Sequence, residues 1–234
     1  MKLTVLGSYG PYPKKGGSCS GYLIEQDDTK ILLDCGNGVF SNFQKLFQLE
    51  DLNAIVLSHL HPDHISDIFI LRYALQFKNR SMKIFGPNKP YEEFLRLYHQ
   101  SYEVNPIDPQ KALQIGKMTF HFEEMKHVLP NYAISIEYNK KKFVYSGDTS
   151  YTEKLIYFSK NADFLLCEAG VLEKDLINTP PHLSPKQAVE IGKSAGAKRI
   201  MLTHFYPEYD LEMYQQEVQQ PDIEYAQEMK TFII

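Results

Sequence analysis

The sequence predicts an α/β protein in which short strands, loops and helices alternate along the whole chain. Its 234 residues are 43% hydrophobic and 23% charged, which is ordinary for a globular chain. This length suits one large domain or two small ones, and it can bury a core without disulfides or structural metals. We find no low-complexity stretch and no Pro- or Gly-rich linker. We therefore expect one domain over residues 1–234, and two similar βα halves within it.

In the first half of the chain, the apolar residues change repeatedly between a period of two and a helical period. The Asp27-Asp28 pair separates two alternating runs and predicts a turn between paired strands. In chain order, the predicted elements are strands at Lys2–Leu6, Gly21–Glu25 and Ile31–Asp34, a helix at Val39–Phe47, a buried strand at Ala54–Leu57 and a helix at Ile65–Phe77.

The second half repeats the alternation and contains one helix start with unusually complete signals. Ser184 suits an N-cap, Pro185 the first helical position, and Gln187 the third position of a capping box. That helix should continue to Ala195 and stop at Gly196. The predicted strands are Met118–Phe122, Tyr132–Tyr138, Lys142–Tyr145, Phe164–Cys167 and Arg199–Thr203, with a hairpin turn at Asn139-Lys140-Lys141.

Charge and cysteine content restrict the function classes and the compartment. The net charge of −4 disfavours a chain whose main role is gripping polyanions, so nucleic acid is not an expected partner. Cys19, Cys35 and Cys167 are an odd number without C-x-x-C spacing, which predicts free thiols in a reducing compartment. The N-terminal apolar run is too short for a signal peptide, and no run reaches the ~18 residues of a membrane span. We expect a cytoplasmic protein with no membrane partner.

The segment from Ser58 to His64 concentrates metal-binding chemistry in one loop. His59, His61, Asp63 and His64 lie directly after the predicted strand at 54–57. His59 and His61 are two residues apart, so an extended loop would direct both side chains to one side. The chain turns at Asp63 and His64, which would direct their side chains to a second metal position. Imidazole nitrogens combined with carboxylate oxygens suit Zn, Mn or Fe. The pattern therefore predicts a metal site.

Three further candidate ligands follow predicted strands elsewhere in the chain. His127 comes after the strand that ends near Glu123, Asp148 lies in a Ser-Gly-Asp turn directly after the strand at 142–145, and His204 follows the strand at 199–203. Open α/β sheets gather ligands at the carboxyl ends of their strands. These three residues are therefore expected to complete the metal binding that one loop cannot supply.

Together these residues resemble the signature of the metallo-β-lactamase superfamily, which is H-x-H-x-D-H followed by a later His, Asp and His. The chain is most similar to the ribonuclease Z-like branch, whose opening Gly-rich loop, "D-C-G" turn and closing "L-T-H-F" are matched at residues 6–13, 33–36 and 202–205. Glu168 matches the acid of that branch's "H-E-A-T" motif, although Cys167 and Gly170 replace the flanking His and Thr. His182 resembles the His of its "H-S-T" turn. Within the branch, the chain resembles the small uncharacterised bacterial metallo-hydrolases.

The resemblance implies a four-layer αβ/βα sandwich, the metallo-β-lactamase-like fold, in a single metallo-hydrolase domain. It also implies two divalent metal ions as cofactors, with zinc ahead of manganese or iron. One ion would be held by His59, His61 and His127, the other by Asp63, His64 and His204, and Asp148 would bridge both.

The expected catalytic residues are Asp63, His182 and Glu168. A leaving alkoxide needs a proton, and His182 is the expected donor, with Glu168 holding its other ring nitrogen. This pair belongs to the phosphodiester-cleaving branch, so the resemblance favours a phosphodiesterase that cleaves a small phosphodiester, such as a cyclic nucleotide, by attack of a metal-bridging hydroxide.

Other functions stay open. Hydrolysis of an ester, thioester or lactone would use the same metals. Transfer-RNA 3′ processing ranks below both, because the chain is acidic and has no protruding basic, Gly/Pro-rich arm. Di-iron electron transfer is opposed by His61, since such relatives usually carry an acid at that position. The superfamily often forms dimers, so the resemblance leaves a homodimer open.

Overall fold

Strands and helices alternate along the chain, as predicted. The computed structural model describes residues 1–176 and 181–234. The strands are β1 (Lys2–Gly7), β2 (Gly21–Gln26), β3 (Thr29–Leu33), β4 (Ala54–Val56), β5 (Met82–Gly86), β6 (Tyr102–Pro106), β7 (Leu113–Ile115), β8 (Met118–Met125), β9 (Asn131–Tyr138), β10 (Lys141–Tyr145), β11 (Phe164–Glu168), β12 (Ile200–Thr203), β13 (Ile223–Tyr225) and β14 (Thr231–Ile233). The helices are α1 (Val39–Gln44), α2 (Pro62–Ile65), α3 (Ile68–Phe77), α4 (Tyr91–Arg96), α5 (Glu153–Phe158), α6 (Pro185–Ser194) and α7 (Leu211–Val218). Among the described residues, no helix has both the length and the apolar character that crossing a membrane requires.

The chain separates into two compact units. Unit 1 comprises residues 1–108 and 227–233, and unit 2 comprises residues 109–226 and 234. The sheet of unit 1 has the strand order β14-β1-β2-β3-β4-β5-β6. Its pairs are antiparallel from β14 to β3 and parallel from β3 to β6. Since parallel strands end at a common edge, the loops after β3 and β4 emerge side by side.

The helices of unit 1 cover its sheet with one apolar core. Phe43 of α1, Leu71 of α3 and Phe94 of α4 are buried against strand residues such as Leu32 and Ile55. Each such side chain contributes about 1.5–3 kcal/mol by leaving water. This core holds β3 and β4, and therefore the loops that follow them, in a fixed position.

The helix predicted at Ile65–Phe77 is interrupted at its start. The structure forms α2 up to Ile65 and begins α3 at Ile68. In a continuous helix the amide of Asp67 would donate to the carbonyl four residues earlier, but it donates to the carbonyl of Cys35 at 3.1 Å. The Asp67 carboxylate accepts from the amide of Phe40 at 2.9 Å. These long-range hydrogen bonds end the helix after its first turn, whereas the local spacing predicted one continuous helix.

Unit 2 has the strand order β13-β12-β11-β10-β9-β8-β7. Its pairs are antiparallel from β7 to β10 and parallel from β10 to β13. The predicted hairpin between β9 and β10 is confirmed, since Asn139 and Lys140 both have positive φ, at 49° and 63°. The predicted start of α6 is confirmed as well, because Ser184 and Gln187 form a reciprocal capping box.

The three cysteines are free thiols, as predicted, and all three are buried. Burial, reinforced by the nearby Asp63 carboxylate, raises the pKa of Cys19 to about 12. Burial also raises the pKa of Cys167 above its usual range. Because the thiolate is the reactive form, these side chains act as packing residues rather than nucleophiles.

Asp163, a buried carboxylate of unit 2, makes the free energy of unfolding depend on pH. Burial disfavours the charged form of Asp163, but hydrogen bonds from Lys198 at 2.8 Å, from the backbone amide of Lys142 at 3.0 Å and from Lys141 at 3.1 Å together lower its pKa to about 2. The folded-state pKa thus lies below the ordinary value of about 3.9. The stabilisation is present above that ordinary value and is lost as the pH falls toward 2.

We expect Asp163→Asn to lower the urea midpoint at pH 7, with the difference from the wild type shrinking as the pH falls from 4 toward 2. Chemical denaturation across this pH series measures the difference. Asp222→Asn is the matched control, because Asp222 is an exposed acid of the same unit. A difference that stays constant with pH would contradict the ionic origin of the stabilisation.

Candidate metal centre

The loop after β4 brings two histidine rings together. His61 is the N-cap of α2 with extended backbone angles, which the following Pro62 enforces. The Nε2 of His59 lies 2.9 Å from the Nδ1 of His61, and the two rings meet edge to face. Two imidazole nitrogens at this separation can share one cation. The predicted alternation of these two residues therefore places both donors on one side of the loop.

Asp63 and His64 follow in the single turn of α2. Both side chains are buried, and the Nε2 of His64 lies 3.5 Å from the Oδ2 of Asp63. A Cβ added at Gly36 would lie 1.9 Å from the carbonyl oxygen of Asp63. Only glycine at position 36 therefore allows α2 to pass this close to the loop after β3.

A residue of that loop, Asp34, orients the histidines. Its Oδ2 accepts hydrogen bonds from the Nδ1 of His64 and from the Oγ of Ser58, both at 2.7 Å, and its Oδ1 accepts from the amide of Ser58 at 2.7 Å. The Ser58 hydroxyl also lies 3.0 Å from the Nδ1 of His59. With both Nδ1 atoms held in this way, the Nε2 atoms are the donors directed to a metal. Sequence reasoning noted Asp34 only as part of the "D-C-G" turn and missed this role.

We expect Asp34→Ala to weaken metal binding about 10–100-fold, because the His64 ring loses the acceptor that sets its tautomer and orientation. Competition with a chromogenic chelator measures the affinity. Asp67→Asn is the control, since Asp67 bonds a backbone amide of the same unit and no histidine. If both variants lose the same affinity, the effect arises from loss of unit 1 packing and the positioning role of Asp34 is wrong.

In unit 2, the three predicted strand-end ligands lie close together. His127 follows β8, Asp148 follows β10 and His204 follows β12. The Oδ2 of Asp148 lies 3.3 Å from the Nε2 of His204 and 4.0 Å from the Nε2 of His127. One carboxylate oxygen thus faces two imidazole nitrogens, which is the arrangement expected of a shared ligand.

The turn before Asp148 depends on glycine. Gly147 has a φ of 57°, and a Cβ at this position would approach the side chain of Asn131 to 2.4 Å. The Oδ1 of Asn131 accepts a hydrogen bond from the amide of Asp148 at 3.3 Å. Asn131 is a second positioning residue that the sequence pattern did not reveal.

His127 is held in the form that binds metals. Burial lowers its pKa, although Asp148 opposes this effect and His182 adds to it. The imidazole is therefore neutral at pH 7, with a nitrogen lone pair to donate.

Glu168 and His182 form a buried pair in the same unit. Glu168 is fully buried at the end of β11, and its Oε1 accepts from the Nδ1 of His182 at 2.9 Å. Backbone amides supply its other donors, which are those of Thr149 at 2.8 Å, Gly170 at 2.9 Å and Leu183 at 3.2 Å. Four donors compensate the burial of this carboxylate. His182 is 15% exposed, so its ring is held from the buried side and can meet a substrate.

The ring of His182 lies among the candidate ligands of unit 2. It stacks on His204 with centroids 5.3 Å apart and meets His127 edge to face at 5.5 Å. Donor atoms of Asp148, His182 and His204 all lie within 4.8 Å of one another, so this group could itself hold an ion. The geometry thus permits two roles for His182, a proton donor or a ligand.

The structure shows the surroundings of Cys167 and Gly170, the two residues that differ from the "H-E-A-T" motif. Cys167 is fully buried, with Ser146 nearby. A Cβ at Gly170 would lie 3.2 Å from the Nδ1 of His204 and 3.3 Å from the Cγ of His182. Because residue 170 is glycine, the rings of His182 and His204 have space that a side chain at this position would occupy.

The donor chemistry in each unit fits a divalent metal. Unit 1 offers His59, His61, Asp63 and His64, and unit 2 offers His127, Asp148 and His204. Neutral imidazoles and carboxylates are the ligands that Zn, Mn and Fe accept in catalytic sites.

Comparison with known proteins agrees with this chemistry. The family model for the β-lactamase superfamily domain matches residues 29–205. The probable metallo-hydrolase YhfI of Bacillus subtilis is 34% identical over 211 residues, covering 87% of this chain and 86% of its own length. The crystal structure of YhfI, described as a metallo-β-lactamase fold protein, superposes with a TM-score of 0.94 at 31% identity and covers 99% of both chains. Ribonuclease Z of Thermoplasma volcanium is 25% identical over 268 residues, covering 88% of both proteins. The predicted fold and family are confirmed: the chain belongs to the β-lactamase superfamily and is a metallo-hydrolase with the metallo-β-lactamase fold.

Proposed function

We propose that this metallo-hydrolase is a phosphodiesterase that uses two divalent metal ions, zinc ahead of manganese or iron, to cleave a small phosphodiester such as a cyclic nucleotide. The observation that carries the proposal is the bond from His182 to the buried carboxylate of Glu168 at 2.9 Å. Cleavage of a phosphodiester expels an alkoxide, which needs a proton. A histidine with one nitrogen anchored and its ring partly exposed is suited to supply that proton.

We propose the ligand assignment that the resemblance implies for two ions. One ion would be held by His59, His61 and His127, the other by Asp63, His64 and His204, with Asp148 shared between them. Two such ions supply a nucleophile from water at neutral pH and neutralise negative charge on the phosphate. The close pairs His59–His61 and Asp148–His204 support this assignment.

The chain's own residues would guide the proton. Glu168 fixes the Nδ1 of His182 and stabilises the imidazolium through a charge-assisted hydrogen bond. The Nε2 then carries the proton toward the leaving oxygen. The backbone amides around Glu168 prevent its carboxylate from turning away, so the ring has one orientation.

Charge favours a small substrate over a folded RNA. The chain carries a net charge of −4, whereas a nucleic-acid enzyme usually presents a basic surface. The segment after α3 forms the compact series β5, α4 and β6. The ribonuclease named among the relatives therefore supports phosphodiester chemistry for this chain more than it supports a transfer-RNA substrate.

A second candidate rests on the grouping of Asp148, His182 and His204. If His182 is a metal ligand, it is not available as the general acid that protonates the leaving group. The site would then suit esters, thioesters or lactones, whose leaving groups depart with less help.

The test is turnover of bis(p-nitrophenyl) phosphate and of p-nitrophenyl acetate by zinc- and manganese-loaded protein, with Asp63→Ala as the blank. Metal-dependent cleavage of the diester alone is expected, and a screen of cyclic nucleotides would follow. Cleavage of the acetate alone would contradict the proposal and favour the second candidate.

A further inference from the structure

A short acidic 3₁₀ helix lies between β11 and α6 in unit 2, and we call its residues Glu173, Lys174 and Asp175 the acidic clip. Its two acidic side chains accept hydrogen bonds from two different segments of the chain. The Oε2 of Glu173 accepts from the Oγ of Ser184 at 2.5 Å, and the Oδ2 of Asp175 accepts from the hydroxyl of Tyr209. The clip thus joins the start of α6 to the loop after β12.

The two segments that the clip joins carry two stacked histidines. Ser184 follows His182 by two residues, and Tyr209 follows His204 by five. The rings of His182 and His204 are stacked, with centroids 5.3 Å apart and planes inclined by 19°. Because each histidine precedes a residue that the clip holds, the clip restricts how far the backbones that carry the two rings can move apart.

The clip is itself anchored to the rest of unit 2. The amide of Glu173 donates to the Oε1 of Glu217 on α7 at 2.8 Å, and the amide of Asp175 donates to the carbonyl of Leu172 at 2.9 Å. Leu172 is buried, so the chain just before the clip is part of the core. The two acidic side chains therefore extend from a fixed piece of backbone.

Tyr209 is held by packing as well as by its hydrogen bond. Its ring meets the rings of Tyr206 and Tyr214 edge to face, with centroids 5.2 Å and 6.1 Å away, and the ammonium of Lys174 lies 5.7 Å from its centre. Burial, reinforced by the hydrogen bond to Asp175, raises the pKa of Tyr209 to about 12. The hydroxyl therefore keeps its proton at neutral pH and continues to donate to Asp175.

We propose that Glu173 and Asp175 are positioning residues that hold the ring of His182 over that of His204. Their role differs from that of Glu168, which orients the ring of His182 through its Nδ1. The clip instead fixes the distance between the two chain segments. A misplacement of about 1 Å in a reacting group can lower a rate by about 10²-fold. The expected effect on turnover rests on the proposed function, but the stacking of the rings can be measured without a substrate.

NMR spectroscopy of the zinc-loaded full chain with labelled histidine tests the positioning directly. The wild type should show a nuclear Overhauser effect between the ring protons of His182 and His204. Glu173→Ala and Tyr209→Phe should each lose this signal, and the second variant removes only a hydroxyl while it keeps the packed ring. Glu173→Gln should retain the signal, because its amide oxygen can still accept from the Oγ of Ser184.

Turnover supplies the second measurement. Glu173→Ala and Tyr209→Phe should each lower the rate for a diester that expels an alkoxide by about tenfold or more, with unchanged KM and metal content. The loss should be much smaller for a diester that expels p-nitrophenolate. Glu212→Ala removes an exposed acid of α7 and should match the wild type in both measurements.

The outcomes separate positioning from folding and from the proposed function. An unchanged signal between the rings in both Glu173→Ala and Tyr209→Phe would overturn the inference. Loss of metal in parallel with turnover, or equal losses for both leaving groups, would show that the clip only stabilises the fold and would overturn it too. A wild type that cleaves no diester would contradict the proposed function, and the ring signals of the variants would still decide the role of the clip.

Discussion

Asp148→Ala should abolish turnover and deplete the bound metal. The side chain of Asp148 faces the Nε2 atoms of both His204 and His127, and we propose that it is the ligand shared by two ions. Loss of a shared anionic ligand removes several kcal/mol of transition-state stabilisation, so we expect the turnover rate to fall by about 10³-fold or more. Metal analysis of the purified variant should show fewer equivalents than the wild type.

The control for this variant is Asp222→Ala, which removes an exposed carboxylate of the same unit. It should keep the metal content and turnover of the wild type. A fully active Asp148→Ala protein with its full metal content would contradict the shared-ligand role. Loss of one equivalent with retained activity would instead indicate that a single ion suffices.

His182→Ala should keep the metal and lose turnover, and the loss should depend on the leaving group. A positioned general acid contributes about 10²–10⁴-fold when the leaving oxygen needs a proton. The deficit should therefore be largest for diesters that expel an alkoxide and much smaller for those that expel p-nitrophenolate. Comparing the rates of both substrate types, with metal analysis of the same sample, measures this difference.

Glu168→Gln is the companion variant. It keeps the size of the side chain but removes the charge that stabilises the protonated ring of His182, so it should show the same dependence on the leaving group. If His182→Ala loses metal in parallel with activity for every substrate, the residue is a ligand. The group of Asp148, His182 and His204 would then be the correct description of its role.

Local patterns predicted most of the secondary structure because each depends on residues close in sequence. The capping box of α6 joins Ser184 and Gln187, and the turn of the β9–β10 hairpin brings Tyr138 opposite Lys141, so each begins with residues three positions apart. The interruption before α3 could not be predicted in this way. It depends on the carbonyl of Cys35, which lies far from Asp67 in the sequence.

The short strands β13 and β14 show the same limit. Each has only three residues and no distinctive alternation, so neither was predicted. β14 pairs with β1, joining the two ends of the chain in the sheet of unit 1. Such pairing is decided by the position of the partner strand, since a strand of this length has little preference of its own.

For the candidate metal centre, the sequence by itself determined the donor types and their placement after strands. The His-rich loop after β4 and the residues after β8, β10 and β12 were all identified from spacing and chemistry. The tertiary structure alone decided which groups orient these donors. Asp34 holds His64, and Asn131 holds the turn of Asp148, across separations of 30 and 17 residues. The same holds for α3: helical spacing predicts that this segment is helical, but only the packed structure decides which of its apolar side chains are buried in the core and which remain exposed to solvent. The physical reason is that a donor's identity belongs to one residue, whereas its orientation and burial depend on neighbours that folding brings from elsewhere in the chain.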